Sequence, residues 1–135
     1  MGGGISVSAH CKGKVIDVLK KLGLMPFEDD DRVCFFYQMT LYLYVPDSND
    51  PEFLAIYIPS FYEIDEDDDE LEVMKVMNEC TSFMKVTHLQ LEKEYVSVAC
   101  ELFVSEDSDL EDIVKRCIVT LHQTKERFEK EMKGL

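Results

Sequence analysis

Residues 65–70, DEDDDE, are six consecutive acids, the place where a hard divalent cation would first be sought. An EF-hand loop alternates its acidic ligands, puts glycine at the sixth position and ends on a bidentate glutamate at the twelfth. Counted from Asp65, the sixth residue is Glu70 and the twelfth is Val76, so the pattern fails where it sets its turn and its last ligand. The residues that follow assign the acids a different role. Leu71, Met74, Met77 or Asn78, and Thr81 form one stripe at helical spacing, and Val73, Val76, Cys80 and Phe83 a neighbouring one. The acids therefore open a helix. Asp67, Asp68 or Asp69 caps it, and the carboxylates of its first turn complement the positive end of the helix dipole. A cation or small-molecule sensor using the stretch 65–72 is the alternative reading of the same residues.

Other reactive side chains are scattered. His10 beside Cys11 suggests a thiol nucleophile with a base, but sequence neighbours need not point together, and the pair lies next to the terminus. His88 falls in a predicted strand and His122 on a predicted helix, with no HxH or HExxH spacing, so a structural or surface role is expected of each. No GxSxG, phosphate-cradling glycine loop or dinucleotide fingerprint occurs. Cysteines stand at 11, 34, 80, 100 and 117; the count is odd and no CxxC is present, so neither a disulfide framework nor a zinc site is indicated. Cys34, Cys80, Cys100 and Cys117 fall on apolar faces or in strands and are expected as buried thiols acting as small hydrophobes. No catalytic residue, metal site or cofactor is expected.

Charge narrows the partners. The 135 residues carry 28 acids against 14 lysines and arginines, a net of −14. Phosphates repel such a chain, which argues against nucleic acid and anionic membrane. A hydrophobic content of 46% supports a folded core, and no apolar run reaches the length of a bilayer span. No secretion signal is read at the start, so a cytoplasmic location is expected. Gly2 and Ser6 of MGGGIS match a myristoylation pattern, with a flexible terminus, or residues foreign to the natural chain, as the simpler reading.

The positioning elements follow from periodicity. CKGKVIDVLKKLGL places Val15, Val18, Leu19 and Leu22 on one helical stripe, with Lys20, Lys21 and Gly23 as its stop. RVCFFYQMTLYLYVP reads as a hairpin turning near Gln38 and Met39, although neither is a good turn residue. FLAIYIPSFYEI is a third strand, which Pro59 ends or marks as an edge. After the acid-led helix, FMKVTHLQLEKEYVSVACELFVS holds two strands turning near Glu92 to Glu94. The last segment is a long helix capped at Ser108 or Asp109, burying Leu110, Ile113, Val114, Cys117, Ile118, Leu121, Phe128 and Met132. The expected fold is α+β, in the order α-β-β-β-α-β-β-α, with a five-stranded twisted antiparallel sheet packed with three helices. Residues 1–9 are expected as a flexible segment and 10–135 as a single domain.

One face of that sheet is a candidate surface. Leu41, Leu43 and Val45 are expected beneath the helices, together with Leu54, Ile56 and Ile58. That places Tyr42, Tyr44 and Tyr57, with Phe103, on the opposite face, as a partner or dimer surface.

The second half, VMNECTSFMKVTHLQLEKEYVSVACELFVSEDSDLEDIVKRCIVTLHQTKERFEKEM, resembles the YbjN-like, sensory-transduction-regulator family of bacteria. Asn78 on its helix and Phe83, Lys85 and Val86 of the F-x-K-V strand entry carry the resemblance, which spans roughly residues 12 to 133. Gln38-Met39 departs from the glycine common at that family's hairpin. The resemblance implies a type III secretion chaperone-like fold, shared with small acidic dimers that hold partner polypeptides without catalysis. By resemblance and composition together, the expected function is a non-enzymatic protein-binding module, adaptor or chaperone-like. Its partner is another protein, and it is expected to form a homodimer.

Overall fold

The computed structural model describes residues 12–84 and 86–134. The elements run α1 (Lys12–Lys21), β1 (Phe27–Asp29), β2 (Arg32–Tyr37), β3 (Thr40–Tyr44), β4 (Phe53–Glu63), α2 (Glu70–Phe83), β5 (Thr87–Glu92), β6 (Tyr95–Phe103) and α3 (Leu110–Lys133). The α+β order is the expected one with a single addition. Phe27–Asp29 pairs with Arg32–Cys34 as a short edge strand, so the described sheet has six strands rather than five. Three residues of FED lack any alternation that would have marked them as a strand; pairing to a long neighbour makes them one. The order across the sheet is β1-β2-β3-β4-β6-β5, and every neighbouring pair is antiparallel.

Each helix begins and ends for local reasons. Gly23, at φ +84°, closes α1 with its N–H on the Lys20 carbonyl and the Leu24 N–H on the Leu19 carbonyl, a Schellman motif that satisfies two end carbonyls. Asp69 caps α2, its carboxylate accepting from the Leu71 N–H, and Asp109 caps α3 by accepting from the Asp112 N–H. Of the two candidate stripes on α2, Val73, Val76 and Cys80 are buried together with Met77. Leu71, Met74 and Phe83 are exposed, and Phe83 lies under the Arg127 guanidinium at 4.1 Å.

All three helices lie on one face of the sheet. A single core cluster joins Val15 and Leu19 of α1, Val73 and Val76 of α2 and Val114, Leu121 and Phe128 of α3 to one alternating set of strand residues. That set is Val33 and Phe35, then Tyr42 and Tyr44, then Leu54, Ile56 and Ile58, then Val96, Val98 and Cys100. β4 does not stop at Pro59 but runs on to Glu63 through a register shift between Ile58 and Tyr62. Ser60 sits there at φ +44° and donates its N–H to the Ser97 Oγ at 2.8 Å. The bulge re-aims the strand, and both Phe61 and Tyr62 then meet the Phe128 ring edge-on.

Candidate partner-binding face

The face away from the helices is defined by the strand register. One row crosses the whole sheet: Phe27 opposite Cys34, Cys34 opposite Leu43, Leu43 opposite Tyr57, Tyr57 opposite Ala99, and Ala99 opposite His88. None of these residues belongs to the helix-side core. Strand alternation adds Phe36 and Leu41 on one side of this row, and Ala55, Glu101, Phe53 and Phe103 on the other. Small side chains lie low in the middle, where Cys34, Ala55 and Ala99 are buried by their neighbours. Large ones stand at the corners: Phe36 is 57% exposed, Phe103 73% and Phe27 48%. The corner rings are paired, Phe27 with Phe36 at 6.4 Å and Phe53 with Phe103 at 5.7 Å.

This arrangement corrects the expected phase of β3. Tyr42 and Tyr44 have no exposed surface and lie under the helices. The Tyr42 ring stacks on Phe35 at 5.2 Å and meets Tyr37 edge-on at 6.0 Å. Its hydroxyl donates to the Ile118 carbonyl of α3 at 3.4 Å. Leu41 and Leu43, expected in the core, face away from it. The cause is the register: Tyr44 pairs with Ile56, and Leu43 with Tyr57, so tyrosines share a face with the aliphatic residues of β4. Both sides of TLYLY are apolar enough to be buried, and alternation alone does not choose between them. The phase of β4 is as expected, with Leu54, Ile56 and Ile58 inward and Phe53, Ala55 and Tyr57 outward.

Tyr57 is the member of the expected tyrosine set that reaches the open face. Its hydroxyl donates to Glu101 Oε2 at 3.3 Å, and His88 Nε2 lies 3.2 Å from the other Glu101 oxygen. Gln90 Nε2 is 2.9 Å from the same imidazole nitrogen. Partial burial, reinforced by the Glu101 charge, pushes the Tyr57 phenol up to about 12. Sequence reasoning did not single out this polar corner, because its members come from three strands and meet only through the β4–β6–β5 register.

The other candidate residues are separated. His88 stands on the open face, whereas His122 is on α3 in the helical layer, edge-on to Tyr37 at 5.6 Å and 3.3 Å from Glu126. His10, Cys11 and the Gly2–Ser6 motif lie outside the described residues. Cys34, Cys80, Cys100 and Cys117 are buried free thiols. Cys100 and Cys117 touch at 3.2 Å between β6 and α3, and that contact together with burial pushes the Cys100 thiol up. In the acidic stretch the carboxylates serve the backbone. Asp65 accepts from the Asp67 N–H at 2.7 Å, and Asp68 from the Asp65 N–H at 3.0 Å and the Tyr62 hydroxyl at 3.1 Å. Among the described residues, no three His, Cys, Asp or Glu side chains are grouped to hold a metal ion. No helix among them is long and apolar enough to cross a membrane.

Neither a family model nor a curated protein matches the sequence. The fold does match solved structures. YbjN of E. coli, a candidate transcription regulator, superposes with a TM-score of 0.68 over 95% of this chain and 95% of its own, at 10% identity. The fold is YbjN-like. A chain of the HopA1–SchA chaperone–effector complex superposes with a TM-score of 0.60 at 13% identity, over 84% of this chain and 88% of that one. The YbjN-like, chaperone-like fold implied by the sequence resemblance is therefore the observed one. At these identities the likeness establishes the architecture and leaves function to the site.

Proposed function

We propose that this protein is a non-enzymatic protein-binding module, adaptor or chaperone-like, that holds a partner polypeptide on the open face of its sheet. The observation that carries this reading is the helix-free face, whose corners expose Phe27, Phe36 and Phe103 around Tyr57. Large exposed rings spaced over one continuous surface suit a partner better than they suit water. The likeness to a chain of a chaperone–effector complex supports the same class of role. The reading needs no cofactor, nucleic acid or membrane, places the protein in the cytoplasm and includes a homodimer, which sedimentation at micromolar concentration tests.

The experiment is affinity capture from the source cell with wild-type bait and a Phe36→Ser/Phe103→Ser bait, followed by quantitative mass spectrometry. One protein strongly enriched by wild type supports the adaptor reading. Enrichment of background proteins alone, in cells grown under several conditions, overturns it.

A further inference from the structure

We infer that the segment held on the open face is a basic amphipathic one, carrying lysine or arginine between apolar anchors. This inference rests on the protein-binding reading above and adds the chemistry of the partner. Its basis is the way charge is distributed around the apolar stripe. Phe36 and Leu41 lie at one end of β2 and β3, Leu43 and Tyr57 at the middle of the sheet, and Phe53 and Phe103 at the far end of β4 and β6. The stripe is thus diagonal, roughly 14 Å across the strands and 20 Å along them at ordinary strand spacings. That length matches about seven extended residues or sixteen helical ones.

The surroundings are acidic at the Phe53 and Phe103 end of the stripe. Residues 45–74 and 94–114, which supply β4 with both of its loops and β6 with the loop after it, contain no lysine or arginine, while Lys93 stands in the turn before β6. Asp47, Asp50 and Glu52 precede Phe53, while Glu106 and Asp107 follow Phe103. At the same end of the sheet, across its width, Asp30 and Asp31 turn between β1 and β2 beside Asp29, which is paired with Arg32 at 3.2 Å. Residues 33–46, which form the Phe36 and Leu41 end, carry no charge. The basic residues concentrate on α1 and α3, in the layer on the other side of the sheet. A second copy of this chain presents the same acid-rich, cation-poor strands and offers those acids no basic partner beyond Arg32, already paired with Asp29. A neutral apolar segment would fill the stripe but leave the surrounding field unused. A basic amphipathic segment satisfies both, with its rings or aliphatic chains on the Phe36, Tyr57 and Phe103 stripe and its cations toward the corner acids.

The test uses the full chain and three labelled sixteen-residue synthetic peptides, read by fluorescence anisotropy. One carries Leu at i, i+3, i+4 and i+7 spacing with Lys on the other face, one replaces its Lys by Glu, and one keeps Lys but replaces its Leu by Ser. The Leu/Lys peptide is expected to bind at least about thirtyfold tighter than either control, from apolar burial and charge together. Raising salt from about 0.05 to 0.5 M should weaken it about tenfold by screening. Phe36→Ser/Phe103→Ser should weaken it by a further tenfold or so, while circular dichroism stays that of wild type. Equal or tighter binding of the Leu/Glu peptide overturns the inference. So does equal binding of the Ser/Lys peptide, which would mean charge alone, or unchanged binding by the double variant. A cellular partner that is captured by wild type yet retained by the double variant, or that has no basic segment, overturns this assignment and leaves the adaptor reading standing.

Discussion

The two faces of the sheet are built from similar residue types and do opposite things. On the helix side, Phe35, Tyr42 and Tyr44 are completely buried, with Tyr42 stacked on Phe35 and held by α3. On the open side, Phe27, Phe36 and Phe103 are about half exposed or more, while Cys34, Leu43, Ala55 and Ala99 are covered by their neighbours. An aromatic side chain here is buried or exposed according to which phase of the strand it occupies, and its type does not decide. The comparison can be broken or sharpened by substitutions that separate stability from binding.

The largest effect should come from Tyr42→Ala. It removes a buried ring and a hydroxyl bonded to Ile118, and should cost about 3–5 kcal/mol of unfolding free energy in urea. The matched change on the open face, Phe36→Ala, should cost about 1–2 kcal/mol, because more than half of its surface stays in water on folding. A Phe36→Ala cost as large as that of Tyr42→Ala would show that the open face is covered in solution and would end the distinction.

A second prediction concerns the turn that sets the phase of β3. Gln38 and Met39 both have positive φ, +51° and +63°, between the paired Tyr37 and Thr40. This is a two-residue turn of the type that glycine and asparagine favour, occupied by two residues that resist it. Met39 is 98% exposed, so its side chain contributes almost no packing. Met39→Gly should therefore stabilise the fold by about 1 kcal/mol through relief of the left-handed conformation, raising the urea midpoint without changing the slope. Destabilisation would mean that the hairpin turns elsewhere, and would put the assignment of Tyr42 and Tyr44 to the core in question.

A third, smaller effect tests the polar corner of the open face. The Tyr57 phenol should ionise near pH 12 in ultraviolet titration, and Tyr57→Phe should remove one late-ionising tyrosine while that of the buried Tyr42 remains. The sign follows from linkage. The folded-state value lies above that of a free phenol, near 10, so Tyr57's contribution is intact below about pH 10 and falls away as pH rises toward 12. Ionisation at the ordinary tyrosine value would show that Glu101 and the sheet do not shield the hydroxyl. Bound partner should delay the titration further, and the absence of that delay would place the partner away from Tyr57.

The smallest effect is on thiol chemistry. Cys100 and Cys117 should react with an aromatic disulfide reagent only at the rate of unfolding, because both are buried between β6 and α3. Rapid labelling in the native protein would mean that α3 lifts from the sheet, opening the covered face as well.

Much of this was legible before any fold was known. The helical stripe after the acids identified α2 and turned a potential cation loop into a helix start; Asp69 then caps it as one of the three aspartates considered. The long C-terminal stripe identified α3, and the order of the elements pointed to the YbjN-like fold. These readings succeed because helix and strand periodicity, caps and stops are local, and a dozen residues carry their own answer. The short β1 strand and the orientation of β3 were not local. FED becomes a strand by pairing with Arg32–Cys34, and TLYLY offers two apolar sides whose choice is made by the register of Tyr44 with Ile56. The open face inherits the same limit, since Phe27, Leu43, Tyr57, Ala99 and His88 are distant in sequence and form one row only when five strand pairings are in place. The sequence alone determined which segments are helix or strand, β1 apart, and the net charge of −14. Only the tertiary structure decided which aromatic rings are core and which are surface, because a strand alternates between two faces and its partners choose which of them meets the helices.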